Sequence, residues 1–133
     1  MIEHLAPGMT HEMEITVTAD RTAHTMGNPG VHVFATPWMI ALLENVCSAL
    51  LRPHLPEGGG SVGTMVDVRH LAATPVGLKV RARATVLEVS GRRVLFQVEA
   101  ADEVEKIAEG RHERFVVSDL AGFLARAHGK ARA

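Results

Sequence analysis

The chain has 133 residues, 47% hydrophobic and 22% charged, with a net charge of −1 at pH 7. That is one ordinary domain with enough apolar residues for a core, and it supplies no global field for nucleic acid or an anionic membrane. Four Phe, one Trp and no Tyr leave few platforms for base stacking.

Cys47 is the only cysteine, which excludes an intramolecular disulfide and a cysteine-rich metal site. In its apolar context it reads as a small buried hydrophobe. The opening MIEHLAPGMTHEME has no basic stretch followed by an apolar one, so no signal peptide is expected. The longest apolar run, Trp38 to Leu43, is too short to span a bilayer. The expected location is a reducing cytoplasm, with no membrane and no nucleic-acid partner. Histidines stand at 4, 11, 24, 32, 54, 70, 112 and 128. None forms a His-x-x-x-His pair, and no metal site is expected.

In chain order, His11, Met13, Ile15 and Val17 alternate with Glu12, Glu14, Thr16 and Thr18, which predicts a half-buried strand. GNPG at 27–30 marks a loop. A helix follows, with Thr36 as its N-cap and Pro37 at its first position. Pro53 and Pro56 stop it near Arg52. Beyond the flexible EGGGS at 57–61, strict alternation sets Val62, Thr64, Val66, Val68 and His70 on one face. Gly63, Met65, Asp67, Arg69 and Leu71 fall on the other. ATPVG at 73–77 turns the chain. Leu78, Val80, Ala82, Ala84 and Val86 alternate with Lys79, Arg81, Arg83 and Thr85. SGR at 90–92 reads as a hairpin turn. Val94, Phe96, Val98 and Ala100 mark the next strand, and a further one runs from about 104 to 117. Residues 119–128 read as a short helix, and the basic tail from about 127 to 133 is expected to fray. The order is strand, helix and four strands, without repeats or a second domain. An α+β domain, 1–133, with an antiparallel sheet carrying one long helix on its face, satisfies it.

Three residues could carry chemistry. Glu44 lies inside the helix, between a polar arc (Ala41, Asn45, Ser48, Arg52) and an apolar one (Ile40, Cys47, Leu51). It is either a solvated rim carboxylate or a half-buried one available as base or nucleophile. Thr36 caps the helix, and the same helix start offers N–H groups and a positive dipole end to a developing oxyanion. His70 continues an apolar strand face, where an imidazole is ordinarily a core or edge residue. A hydroxyl, a carboxylate and an imidazole could together hydrolyse an acyl group, but spacing does not bring them together. The basic face formed by Lys79, Arg81, Arg83, Arg92 and Arg93 reads first as a solvated sheet surface.

These residues resemble a family. Phe-Ala-Thr at 34–36, Glu44, Gly63-Thr64, the His-x-x-Ala-Thr-Pro run from His70 to Pro75 and Gly-x-His-Glu-Arg from Gly110 to Arg114 stand in the order and spacing of hotdog-fold thioesterases related to fluoroacetyl-CoA thioesterase. The resemblance runs from about Met9 to Phe123. It implies a hotdog fold, a curved five-stranded antiparallel sheet wrapped around one long helix. It also implies a homodimer or tetramer with the site between subunits, and hydrolysis of an acyl-CoA thioester with no cofactor beyond the substrate's own coenzyme A. The family's catalytic threonine, glutamate and histidine fall on Thr36, Glu44 and His70. Gly63 matches a glycine near the substrate carbonyl, Arg114 an arginine of the last strand, and Phe34 belongs to the substrate-binding set. One segment departs. Ahead of Phe34, in the segment that covers the acyl pocket in such enzymes and carries aromatic residues in the fluoroacetyl-specific member, this chain reads MGNPGVHV, without Phe, Tyr or Trp. That departure predicts an acyl specificity other than fluoroacetyl. A hotdog hydratase or dehydratase and a non-catalytic acyl-CoA-binding module are the alternatives.

Overall fold

A computed structural model of the chain describes residues 2 and 4–132. The alternating segments become strands β1 (Thr10–Thr16), β2 (Gly60–His70), β3 (Lys79–Ser90), β4 (Arg93–Asp102) and β5 (Lys106–Val117), and the long apolar segment becomes helix α1 (Thr36–Leu51). They form one sheet in the order β1-β3-β4-β5-β2, with every neighbouring pair antiparallel. The apolar residues of α1 recur at helical spacing, and Met39, Leu42, Leu43, Val46, Cys47 and Leu50 are buried. They pack on Val80, Ala82, Ala84 and Val86 of β3 and Val94, Phe96 and Val98 of β4. The two alanines leave room for the helix over the middle of the sheet. Lys79, Arg81 and Arg83 alternate outward, and the first two pair across the strand with Glu14, at 4.0 and 3.4 Å. Arg93 meets Glu113 at 3.4 Å. The basic face is thus a surface of cross-strand ion pairs.

Three expectations are corrected. Ala35, not Thr36, occupies the N-cap of α1, and no side chain caps the helix. Thr36 is the first helical residue, so its hydroxyl is released from that duty. The tail does not fray at residue 127. Asp119 caps a second helix, α2 (Leu120–Gly129), by accepting from the Gly122 amide at 3.0 Å, and Lys130–Arg132 continue as a 3-10 turn. Ala133 lies outside the described residues.

The third correction matters most for the site. Strict alternation sets Gly63 and His70 on opposite faces, but the β2–β5 register shifts between Gly63 and Met65. Gly63 stands opposite Arg114, Val66 opposite His112 and His70 opposite Ala108. Cross-strand partners share a face, so the bulge returns Gly63 to the helix side together with Val66, Val68 and His70.

Candidate active site

Thr36 enters the site because the cap role has passed to its neighbour. Its hydroxyl lies 2.8 Å from His70 Nδ1, joining the start of α1 to the end of β2. Burial pushes the His70 pKa down and so favours the neutral ring. Its Nε2 is enclosed and has no hydrogen-bond partner among the described residues. Both residues line a hollow of about 380 Å³ with Ala23, Asn28, Val31, Val33 and Phe34. Phe34 is buried, and its amide donates to the Thr74 carbonyl at 2.8 Å. The segment ahead of it is braced by two histidines instead of larger aromatics. The His24 and His32 rings lie 4.3 Å apart, and the Gly30 amide donates to His24 Nδ1 at 2.9 Å.

Glu44 occupies a second cluster, two turns along α1. Its side chain is 39% exposed and its Oε2 lies 4.0 Å from Arg114 Nη1. Arg114 is held from below: Nε donates to Ser61 Oγ at 2.9 Å and Nη2 to the Ser61 carbonyl at 3.0 Å. Nη1 lies 3.2 Å from His112 Nε2. Burial presses the Arg114 pKa down while the Glu44 carboxylate opposes it. Gly63 forms the floor. A Cβ there would lie 2.6 Å from Glu44 Oε2 and 3.1 Å from His112 Cε1. Cys47, one turn beyond Glu44, is fully buried, and desolvation pushes its thiol up to about 12.

The structure therefore joins Thr36 to His70, and Glu44 to Arg114 over Gly63, as two clusters in one chain. Glu44 lies eight positions beyond Thr36 on the helix, about 12 Å along the axis. Roughly 20 Å of strand separates Gly63 from His70. Periodicity missed Ser61 and His112. His112 was one of eight scattered histidines, although its spacing of two from Arg114 on a strand sets both on one face. No cluster of three or more His, Cys, Asp or Glu able to hold a metal ion occurs among the described residues. No helix there is long and apolar enough to cross a membrane. A larger groove of about 530 Å³ lies on the outer sheet face, between Glu14, Arg81 and Glu103. Its mixed, solvated charges make it a poorer site than the smaller hollow, which contains a hydroxyl–imidazole pair.

An antiparallel sheet packed around one long helix, with its polar clusters where helix meets sheet edge, is the hotdog architecture. Solved structures agree. The fluoroacetyl-CoA thioesterase superposes with a TM-score of 0.89 at 34% identity, covering 96% of this chain and 98% of that one. A Thermus thermophilus protein described as a thioesterase superfamily member gives 0.88 at 30% identity, covering 98% and 96%. In sequence, residues 17–119 match the family described as fluoroacetyl-CoA-specific thioesterase, and the chain belongs to that family. It is 46% identical over 85 residues to the fluoroacetyl-CoA thioesterase of Streptantibioticus cattleyicolor. The match spans 64% of this chain and 61% of that relative's length.

Proposed function

We propose that this protein hydrolyses an acyl-CoA thioester to a free acid and coenzyme A, at a site completed between two subunits. The observation that carries this reading is the Thr36–His70 hydrogen bond at the start of α1, facing a hollow that Phe34 lines. The thioester carbonyl lies by the helix start, where the Thr36 hydroxyl and first-turn amides polarise its oxygen. Glu44 either attacks the carbonyl, giving a mixed anhydride, or activates a water molecule. His70, neutral at rest, takes up the proton released when water attacks the thioester or the anhydride, and passes it to the coenzyme A thiolate. Arg114 orients the Glu44 carboxylate, and bare Gly63 lets the substrate carbonyl approach. Phe34 forms the inner wall of the acyl hollow. No cofactor beyond the substrate's own coenzyme A enters this chemistry. Single turnover in isotopically labelled water separates the two routes: label entering Glu44 marks the anhydride.

The 12 Å between Thr36 and Glu44 supports the shared site, because a two-fold pairing can set Glu44 of the partner subunit opposite the Thr36–His70 pair. Among the described residues the outer edge of β2 has no strand partner in the sheet, and a second subunit would cover it. The reading is therefore a homodimer, or a tetramer of such pairs. The acyl group is other than fluoroacetyl, since glycines and valines replace an aromatic cover ahead of Phe34. The free buried thiol suits a reducing cytoplasm. Thiol release from short, medium and aryl acyl-CoAs tests the reading, with Glu44→Ala and His70→Ala alongside. Turnover that both substitutions abolish is expected. Tight acyl-CoA binding without thiol release would replace the hydrolase with a binding module, and hydration of an enoyl-CoA would replace it with a hydratase.

A further inference from the structure

His112 belongs to no part of the chemistry above, yet it is the most deeply buried polar residue of the Glu44 cluster. The ring is 1% exposed, between Phe96 on β4 and the floor under Glu44. Its Nδ1 lies 2.8 Å from the Met65 carbonyl oxygen, at the edge of the β2 bulge. A carbonyl only accepts, so Nδ1 carries the proton and donates. On the other side of the ring, Arg114 Nη1 lies 3.2 Å from Nε2. A guanidinium only donates, so Nε2 must be the bare nitrogen. The two partners leave one state: the neutral ring protonated on Nδ1. The guanidinium nitrogen that Nε2 receives is also the one that faces Glu44 Oε2 at 4.0 Å. Ser61 fixes Nε and Nη2, and His112 fixes the remaining nitrogen.

We propose that His112, locked as its Nδ1–H tautomer by the bulged Met65 carbonyl, is a positioning residue that aims Arg114 Nη1 at Glu44. The inference rests on the reading of Glu44 as the working carboxylate. The bulge then has two effects: it turns bare Gly63 toward the helix and supplies the acceptor that sets the ring's tautomer. The Met65 contact opposes the burial that lowers the His112 pKa. The charged groups acting on the ring are Glu44 from α1, and Arg114 and Glu113 from β5; β4 presents Phe96 and β2 the Met65 carbonyl.

The test contrasts two substitutions. In His112→Asn the side-chain amide nitrogen falls near the old Nδ1 and can still donate to Met65, but Nη1 loses its acceptor. In His112→Gln the side-chain oxygen reaches the old Nε2 and can accept from Nη1. Arg114 displaced by a fraction of an ångström from Glu44 should lower the Asn variant's kcat by about tenfold or more, with KM moving much less. The Gln variant should recover most of that loss. Equal kcat in the two variants, whether both impaired or both normal, would overturn the inference. Nitrogen-15 NMR of labelled histidine and arginine reads the same claim without activity. The wild type should show a neutral Nδ1–H ring, and the Arg114 guanidinium signals should move in the Asn variant and much less in the Gln variant. An Nε2–H or charged ring at neutral pH, or unmoved Arg114 signals, would sink the proposal. A wild type that releases no thiol but gives the expected spectra would instead remove the hydrolase reading and leave the His112–Arg114 linkage standing.

Discussion

Replacing Gly63 by alanine should separate activity from stability. The new Cβ would lie 2.6 Å from Glu44 Oε2 and 3.1 Å from His112 Cε1, and neither neighbour is backbone. Gly63 is not among the glycines of positive φ, so alanine suits the strand conformation. His112 is anchored on both ring nitrogens. The half-exposed Glu44 must therefore yield, retreating by about 0.8 Å to reach ordinary van der Waals contact. Misplacement on that scale lowers kcat/KM by about tenfold to a hundredfold, or roughly 1.4 to 2.7 kcal/mol of transition-state stabilisation. Stability should stay within about 1 kcal/mol, because the gain from a more restricted unfolded chain is set against the 3.1 Å contact with the anchored His112 ring. For a domain of this size that is at most about 4 °C in Tm. Thiol-release kinetics and a thermal melt on the same sample are the assay. Unchanged kcat/KM would mean that the placement of Glu44 is irrelevant to turnover. A fall in Tm of more than about 5 °C would assign the effect to folding and refute the steric argument.

Other outcomes follow from the same geometry. Thr36→Val should lower kcat at least about tenfold while Thr36→Ser retains most of it, and removing the hydroxyl should cost no more stability than the roughly 0.5–1.5 kcal/mol of its bond to His70; equal kcat in the two variants would take the hydroxyl out of the chemistry. His70 and His112 both have pKa values pushed down, mainly by burial, so the unfolded chain takes up protons first as pH falls below about 6.5. Their contribution to stability is thus complete above that value and is lost as pH falls through their folded values. The urea midpoint should decline from about pH 7.5 to about pH 5.5, and a flat profile would contradict the neutral buried rings. Cys47, with its thiol pushed up to about 12, should resist a disulfide reagent in the folded protein and titrate as one thiol on unfolding.

Much of the fold can be read from periodicity. The two-residue pattern of β3 and the helical spacing of Met39, Leu42, Leu43, Val46 and Cys47 state directly which side is buried. The bulge could not be read that way. An inserted residue leaves local alternation intact on both sides, and only the pairing with β5 reveals that Gly63 and His70 share a face. Thr36 reads as a cap because threonine is a good N-cap and a residue before proline favours the extended backbone of that position. The structure decides by giving the hydroxyl to His70 instead of a helix amide. Glu44 stood on the border of two helical arcs, and its status depended on Arg114, seventy residues away in sequence. His112 stands in the Gly-x-His-Glu-Arg run with no role that periodicity assigns, although its spacing of two from Arg114 on a strand sets both on one face. The sheet order, with β1 beside β3 and β2 at the far edge beyond β5, comes from long-range pairing that no local pattern carries.

Complementation between subunits tests the central claim most directly. Thr36→Ala and Glu44→Ala chains, each inactive alone, would be unfolded together and refolded as a mixture, and thiol release from the best acyl-CoA substrate measured. If each site takes Thr36 and His70 from one subunit and Glu44 from the other, every mixed dimer rebuilds one intact site. Random pairing in a closed two-fold dimer then restores about a quarter of wild-type activity. No recovery from a mixture that demonstrably forms mixed dimers would place Thr36 and Glu44 in the same site of one chain, or outside the chemistry altogether, and contradict the account.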